Sequence, residues 1–212
     1  MAADGPQSGA RHLGSPADVD TAPLAGRRVA VALAGGIACY KTATLVSRLA
    51  QAGAEVRVLM TESATRFVTP LTFQSLSGKP VLTSIWQSDD KPDSQHVGVA
   101  RSCDLLVIAP ATADLLAKLA AGLADDVVCL VAAAMPRETP VLLAPAMNAQ
   151  MWESPITQRN LTTLRELLGW RVVGPESGWQ ACRTLGAGRM SEPEAIYDAV
   201  CDQLSAAPRH TS

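Results

Sequence analysis

Four consecutive apolar residues, Val141-Leu-Leu-Ala144, stand between Pro140 and Pro145 with no polar alternation. Such a run predicts a strand covered on both faces, as in a parallel sheet with helices on either side. Pro145 cannot donate to a strand ladder, so the strand is expected to stop there and deliver Met147 and Asn148 past its carboxyl end. Leu105-Leu-Val-Ile-Ala109 repeats the pattern, running into Pro110 and then Ala111-Thr-Ala-Asp114. Open α/β sheets bind ligands at the carboxyl ends of their strands. Two buried strands that both end in Ala-Pro-Ala therefore predict two walls of one site. Asn148 taken alone is equally compatible with an ordinary turn asparagine.

The remaining elements agree with that sheet. Arg28-Val-Ala-Val-Ala-Leu33 reads as a first buried strand, broken at Ala34-Gly-Gly-Ile-Ala38. A helix is expected from Cys39 to Gln51, with Gly53 as its stop, followed by a second strand over Glu55-Val-Arg-Val-Leu-Met60. Strand, glycine turn, helix, strand is a βαβ unit, which requires a parallel sheet and a right-handed crossover. Thr61 is placed to cap the next helical turn, and Pro70 to open a helix ending at Gly78. The segment 89–94 reads as a polar loop, and His96-Val-Gly-Val-Ala-Arg101 as a lead into the Leu105 strand. Helices are expected over 115–119, 125–135, 156–168 and 193–204, with a short strand at Arg171-Val-Val173. The stretch 176–191 reads as a glycine-rich loop. The fold class is a doubly wound α/β domain with a parallel sheet, spanning 27–205 between a disordered leader (1–26) and a tail (206–212).

Composition narrows the function. The 212 residues are 48% hydrophobic but only 4% aromatic, which favours close aliphatic helix-on-sheet packing. A net charge of -2 gives no basic footprint for nucleic acid, so no nucleic-acid partner is expected. No apolar run approaches the roughly 20 residues that span a bilayer, so no membrane partner is expected either. Five scattered cysteines without a CxxC pair suggest neither a disulfide framework nor a metal site, and a reducing cytoplasm is the expected setting.

Gly35-Gly36, between a strand and a helix, gathers backbone N–H groups and a helix N-terminus at one spot, which suits a phosphate or a purely structural turn. It lacks the GxGxxG dinucleotide pattern, so a mononucleotide fits better, and Glu62 is only a weak mimic of a ribose-binding acid. His96 is the sole imidazole of the folded part, since His12 and His210 fall in the leader and the tail. Its chemistry suits proton transfer near neutral pH, although a surface histidine without a role fits as well. Cys182 lies in a loop flanked by Gly178, Gly186 and Gly188, a candidate lid carrying a proton donor or nucleophile. Cys39, Cys103, Cys129 and Cys201 read as small core residues. Trp152 and Trp179 read as lid or interface aromatics.

Five segments in order resemble the homo-oligomeric flavin-containing cysteine decarboxylases. They are Gly35-Gly-Ile-Ala-Cys-Tyr-Lys41, His96-Val-Gly-Val-Ala-Arg101, Pro110-Ala-Thr-Ala-Asp114 with Leu116-Ala-Lys-Leu-Ala120, Pro145-Ala-Met-Asn148, and Ala181-Cys182 followed by Gly188-Arg-Met-Ser-Glu-Pro193. The resemblance covers about 27–200. It implies a flavodoxin-like or Rossmann-like three-layer αβα flavoprotein domain with FMN as cofactor and no metal. Gly35, Gly36, Ile37, Thr61 and Ser63 would hold FMN, Thr112, Ala113, Asp114 and Leu115 would line its ring or ribityl part, and Ala146 would also touch it. Asn148, with Met147, would bind the substrate carboxylate. His96 would be the catalytic base or carboxylate partner, and Cys182 the proton donor. Asp114-Leu115 stands where the family usually has Asn-Thr, and an ionised Asp cannot donate as an Asn amide does.

The implied substrate is phosphopantothenoylcysteine, and the implied product 4'-phosphopantetheine of coenzyme A synthesis. Direct loss of carbon dioxide would leave an unstabilised carbanion. The implied route oxidises the carbon bearing sulfur to a thioaldehyde by hydride transfer to FMN, decarboxylates to an enethiolate, and reduces that with a proton from Cys182. A homo-oligomer is implied, a trimer or a dodecamer of trimers, with the site between subunits. Other peptidyl-cysteine decarboxylases share the motifs. A flavin prenyltransferase of the same fold is disfavoured by the set His96, Asn148 and Cys182. Non-catalytic regulatory relatives carry long acidic tails or lack a catalytic residue. Since the chain stops at Ser212 soon after its last helix, no fused synthetase domain is expected.

Overall fold

The computed structural model describes residues 22–86, 95–181 and 183–206. Its centre is a parallel five-stranded sheet built from β1 (Arg28–Leu33), β2 (Glu55–Met60), β3 (Leu105–Ala111), β4 (Val141–Pro145) and β5 (Arg171–Val172), in the order β2-β1-β3-β4-β5. Val31 stands opposite Val58 on one side and Val107 on the other, and Val107 stands opposite Leu142. The sheet is doubly wound, as the βαβ reading requires.

Side chains alternate across each strand, and both faces are covered, so every strand serves two cores. Val29, Val31 and Leu33 of β1, with Leu105 and Val107 of β3, meet α1 (Cys39–Gln51), α3 (Pro70–Ser77) and α9 (Pro193–Ala206) through Leu45, Leu49, Phe73, Ile196 and Val200. Ala30, Ala32, Leu106, Ile108 and Leu143 point the other way. They meet α4 (Gln95–Ser102), α5 (Ala113–Ala120), α6 (Val127–Ala133) and α8 (Pro155–Leu168) through Ala100, Leu116, Val128 and Leu164. This double burial is why the strands lack polar alternation. Helix ends follow local chemistry. The side chain of Thr61 accepts from the N–H of Ala64 to start α2 (Glu62–Thr65), and the Asp126 carboxylate accepts from Val128 and Cys129 to start α6.

Three expectations need correction, and one element was not expected. The stretch 176–191 is not a loop but an antiparallel hairpin of β6 (Glu176–Trp179) and β7 (Leu185–Arg189), a separate two-stranded sheet. Its glycines and polar residues carry no hydrophobic alternation, so only the backbone pairing reveals it. The segment from His96 is helical, forming α4 rather than an extended lead, because Val99 and Ala100 bury one helical face. A short helix, α7 (Ala149–Glu153), starts directly after Asn148. Pro110 does not end its strand: β3 continues to Ala111, which pairs with Pro145, after a register irregularity between Ile108 and Ala111.

The turn at 22–26, assigned to the leader, packs Leu24 into the core, and the Leu24 N–H donates to the Ala52 carbonyl at 2.9 Å. Most of the leader, the tail beyond Ala206, residues 87–94 (which include the expected polar loop at 89–94) and Cys182 lie outside the described residues. Among the described residues no helix is long and apolar enough to cross a membrane. Leu106, fully buried on the central strand β3, tests the two-core packing. Leu106→Ala is expected to cost about 2–5 kcal/mol, read as a lowered urea midpoint with an unchanged slope.

Candidate functional site

The chain leaves β1 toward α1 on one face of the sheet and leaves β3 toward α5 on the other. At such a switch point the connections part and open a crevice. Here it is a cleft of about 1130 Å³, lined by 34–38, 61–63, 112–115, 146–148 and, from the hairpin, 179–181 and 188–190. Short backbone hydrogen bonds hold these loops side by side. Ala34 N–H donates to Pro110 O at 3.2 Å, Thr61 N–H to Leu33 O at 3.0 Å and Ala146 N–H to Ala111 O at 3.0 Å.

Gly35, Gly36, Ile37, Thr61, Ser63, Thr112, Ala113, Asp114, Leu115, Ala146, Met147 and Asn148 all line this one cleft. Several work first through the backbone. A Cβ on Gly35 would lie 2.9 Å from the Ser63 carbonyl carbon and would overlap its Cβ, so glycine alone lets these two loops touch. Thr112 caps α5 by accepting from the Leu115 N–H at 3.3 Å. Leu115 itself is buried in the second core, while Asp114 is exposed in the first turn of α5. Asn148 Oδ1 accepts from the Met151 N–H at 2.8 Å and so caps α7. With that oxygen engaged, its amide N–H groups are the donors left for a ligand.

The two proposed acid–base residues stand differently. His96 is half-buried on α4 and does not line the cleft of its own chain. Cys182 lies outside the described residues, but its neighbours Gln180 and Ala181 line the cleft. The hairpin is docked over the Asn148 loop by the Met147 N–H to Gly188 O bond at 2.9 Å and by Gln180. The Gln180 side chain accepts from the Ala149 N–H at 3.1 Å and donates to Ala187 O at 2.8 Å. Gly186 and Gly188 allow this docking. A Cβ on Gly186 would come within 2.7 Å of the Ala149 Cβ, and one on Gly188 would overlap the Met147 carbonyl oxygen. Trp179 lines the cleft, while Trp152 packs on the second core.

Sequence reasoning gave no role to Lys41, Lys118, Asp125, Arg189 or Glu192, which also line the cleft. Lys41, Lys118, Arg189 and Glu192 stand inside the motifs quoted above, so position was available as a signal. Lys118 pairs with Asp125 at 2.9 Å and approaches Asp126 at 3.7 Å. The hydrogen bond from Lys118 holds the Asp125 carboxyl below its usual range, and Asp125 in turn raises the lysine. Asp125, Asp126 and Cys129 lie close enough to suggest a metal site, but their atoms are already engaged. Asp126 caps α6, and the Cys129 thiol donates to Asp126 at 3.6 Å. Burial pushes the Cys129 and Cys103 thiols up to about 12, with neighbouring carboxylates adding to the effect. Burial likewise raises Cys39, whose thiol donates to Ala34 O at 3.2 Å. These are inert thiols at neutral pH.

The two turn glycines should respond differently to a methyl group. Gly35→Ala is expected to lose about 1–3 kcal/mol through overpacking against Ser63. Gly36→Ala meets Thr112 Cγ2 at 3.5 Å and Pro110 Cγ at 3.9 Å, both ordinary contacts, and should stay within about 0.5 kcal/mol of the parent. Chemical denaturation of both variants checks the difference.

Known proteins share this arrangement. Residues 20–205 match the family described as Flavoprotein. The coenzyme A biosynthesis bifunctional protein CoaBC of Haemophilus influenzae is 46% identical over 182 residues, which is 86% of this chain and 45% of that protein. The chain thus spans less than half the length of that relative. A probable phosphopantothenoylcysteine decarboxylase of Streptococcus mutans is 40% identical over 178 residues, covering 84% of this chain and 99% of the relative. The solved structure of the FMN binding protein AtHal3 superposes with a TM-score of 0.75 at 33% identity, over 86% of this chain and 99% of that one. Since the family match takes in the whole sheet, the cleft and the hairpin above it, the chain belongs to the Flavoprotein family.

Proposed function

We propose that this chain is an FMN-dependent decarboxylase that converts 4'-phosphopantothenoylcysteine to 4'-phosphopantetheine and carbon dioxide in coenzyme A synthesis. The observation that carries the reading is the convergence of twelve residues, from four separate loops, on one switch-point cleft. The names of the Haemophilus and Streptococcus relatives support the pathway and the substrate.

The cleft fits a flavin mononucleotide. Among the described residues the N–H groups of Gly35, Gly36 and Ile37 carry no hydrogen bond, and they stand at the N-terminus of the 13-residue helix α1. Free amides there, together with the helix dipole, suit one phosphate group. Thr61 and Ser63 face the same turn, and the FMN-binding structural relative supports the mononucleotide. When bound, FMN supplies reversible hydride chemistry at the carbon bearing sulfur.

The protein's own groups then have distinct tasks. The Asn148 amide donates to the substrate carboxylate, and the cap made by its oxygen fixes the direction of that donation. The Cys182 thiol protonates the enethiolate carbon. That assignment is supported by the inertness of Cys39, Cys103 and Cys129, whose thiols burial holds protonated. Reduced thiols of this kind also suit a cytoplasmic setting. His96 acts on the cleft of a second copy in a trimer or a dodecamer of trimers. Its distance from its own cleft supports this, as do Ile37, Tyr40, Met151 and Trp179, large apolar residues left exposed along the cleft wall.

Purified protein should show flavin absorbance and release carbon dioxide from phosphopantothenoylcysteine; protein that takes up no FMN would sink the reading. Under anaerobic conditions Cys182→Ser should still bleach the flavin with substrate but turn over at least about 100-fold more slowly. His96→Asn should keep its flavin and fail to bleach it. Stopped-flow absorbance separates the two, and equal loss of bleaching would remove Cys182 from the reductive half. The shared site has its own test, because co-expressed His96→Asn and Cys182→Ser chains should regain about a quarter of wild-type activity. Roughly one interface in four then pairs an intact histidine with an intact cysteine. No recovery would put both groups in one subunit.

A further inference from the structure

Among the described residues Lys41 is the one buried cation, 8% exposed in the first turn of α1. An ammonium taken out of water is costly unless its donors are met. Lys41 Nζ donates to Met190 O at 3.2 Å and to Glu192 Oε1 at 2.9 Å. The same carboxylate oxygen accepts from Arg189 at 2.8 Å, and Arg189 reaches on to Glu176 at 3.3 Å. The signs alternate along the chain Lys41, Glu192, Arg189, Glu176. It begins on the helix that carries the phosphate-binding turn and ends on both strands of the hairpin.

The hairpin needs such an anchor. It is a separate two-stranded sheet, with no strand pairing to the five-stranded one, and isolated hairpins are marginal in water. It is docked on the Asn148 loop by Gln180, just past β6, and by Gly188, near the end of β7. Its base lies where the Arg189 guanidinium packs over Gly178, with a Cβ there only 3.1 Å from Nε. Nε is buried and has no hydrogen-bond partner among the described residues. The two carboxylates on the other guanidinium nitrogen therefore set where the arginine lies.

We propose that Lys41 and Glu192 are positioning residues for the decarboxylation reaction: their ion pair anchors the base of the hairpin to α1 and fixes the spacing between the phosphate-binding turn and the hairpin strands that line the cleft. This rests on the function proposed above. The pair is unlike Arg48–Glu194, which joins α1 to α9 at 3.0 Å but is exposed at both ends and does not reach the hairpin.

The test uses the FMN-loaded protein with Glu192→Gln, Lys41→Met, the double variant and, as control, Glu194→Gln. Glu192 is half-exposed, so Glu192→Gln carries the test if Lys41→Met does not fold. Hydrogen–deuterium exchange of peptides over 176–189 should quicken about fivefold or more, with the sheet unchanged. KM for phosphopantothenoylcysteine should rise about threefold or more at unchanged flavin content, and the double variant should be no worse than the poorer single one. Glu194→Gln should change none of these. A hairpin exchanging at the wild-type rate, acceleration spread evenly over the sheet, or a loosened hairpin with wild-type KM and kcat each overturns the proposal. Absence of turnover in the wild type counts instead against the function, and the exchange comparison then decides the anchoring by itself.

Discussion

The structure depends on one constraint: a parallel sheet buried on both faces has no room for chemistry except at its strand ends. Every side chain of Val141 to Ala144 is committed to one core or the other, and the same holds for Leu105 to Ala109. Polar groups can therefore collect only where these runs stop. Because α1 and α5 leave β1 and β3 toward opposite faces, the stopping points open into a cleft instead of being covered by a helix. The site is a consequence of the winding, and its depth is set by how closely the loops approach one another. Gly35 against Ser63 is one such close approach.

Helix caps and cleft-lining groups share residues at this edge. Thr61, Thr112 and Asn148 each spend a side-chain oxygen on the first turn of the following helix. Each is thereby held in one rotamer, with its remaining donors presented to the cleft, so the cap does the work of pre-organisation. An Asn at the position of Asp114 would have been one more donor. Asp114 instead lies exposed in the first turn of α5, where a carboxylate is favoured by the helix dipole.

The second layer of the site belongs to the hairpin, which the sheet does not hold. It reaches the cleft through side chains and close backbone contacts at 147–149, at Gln180 and along the ion pairs from Lys41 to Glu176. Its position therefore depends on few interactions, several of them charged.

How much of this was legible in the sequence differs by element. The uninterrupted apolar runs at 29–33, 105–109 and 141–144, with the glycine turn after the first, determined a parallel doubly wound sheet, because burial on both faces leaves no other reason for such runs. The capping positions of Thr61 and Pro70 followed from local chemistry alone, and the motif-bearing loops pointed to one edge. The hairpin was hidden, since Gly178, Gly186 and Gly188 make it by close contact with another loop, and a close contact leaves no local period. The helical state of 95–102 was hidden too, because an eight-residue helix containing Gly98 is stable only through its packing on the second core and α6. Likewise Lys41 and Arg189, 148 positions apart in numbering, became partners of one carboxylate only when α1 and the end of β7 were brought side by side. Burial pattern is written residue by residue along the chain, so the sequence carries it; the meeting of distant charges is a property of packing, and only the tertiary structure decides it.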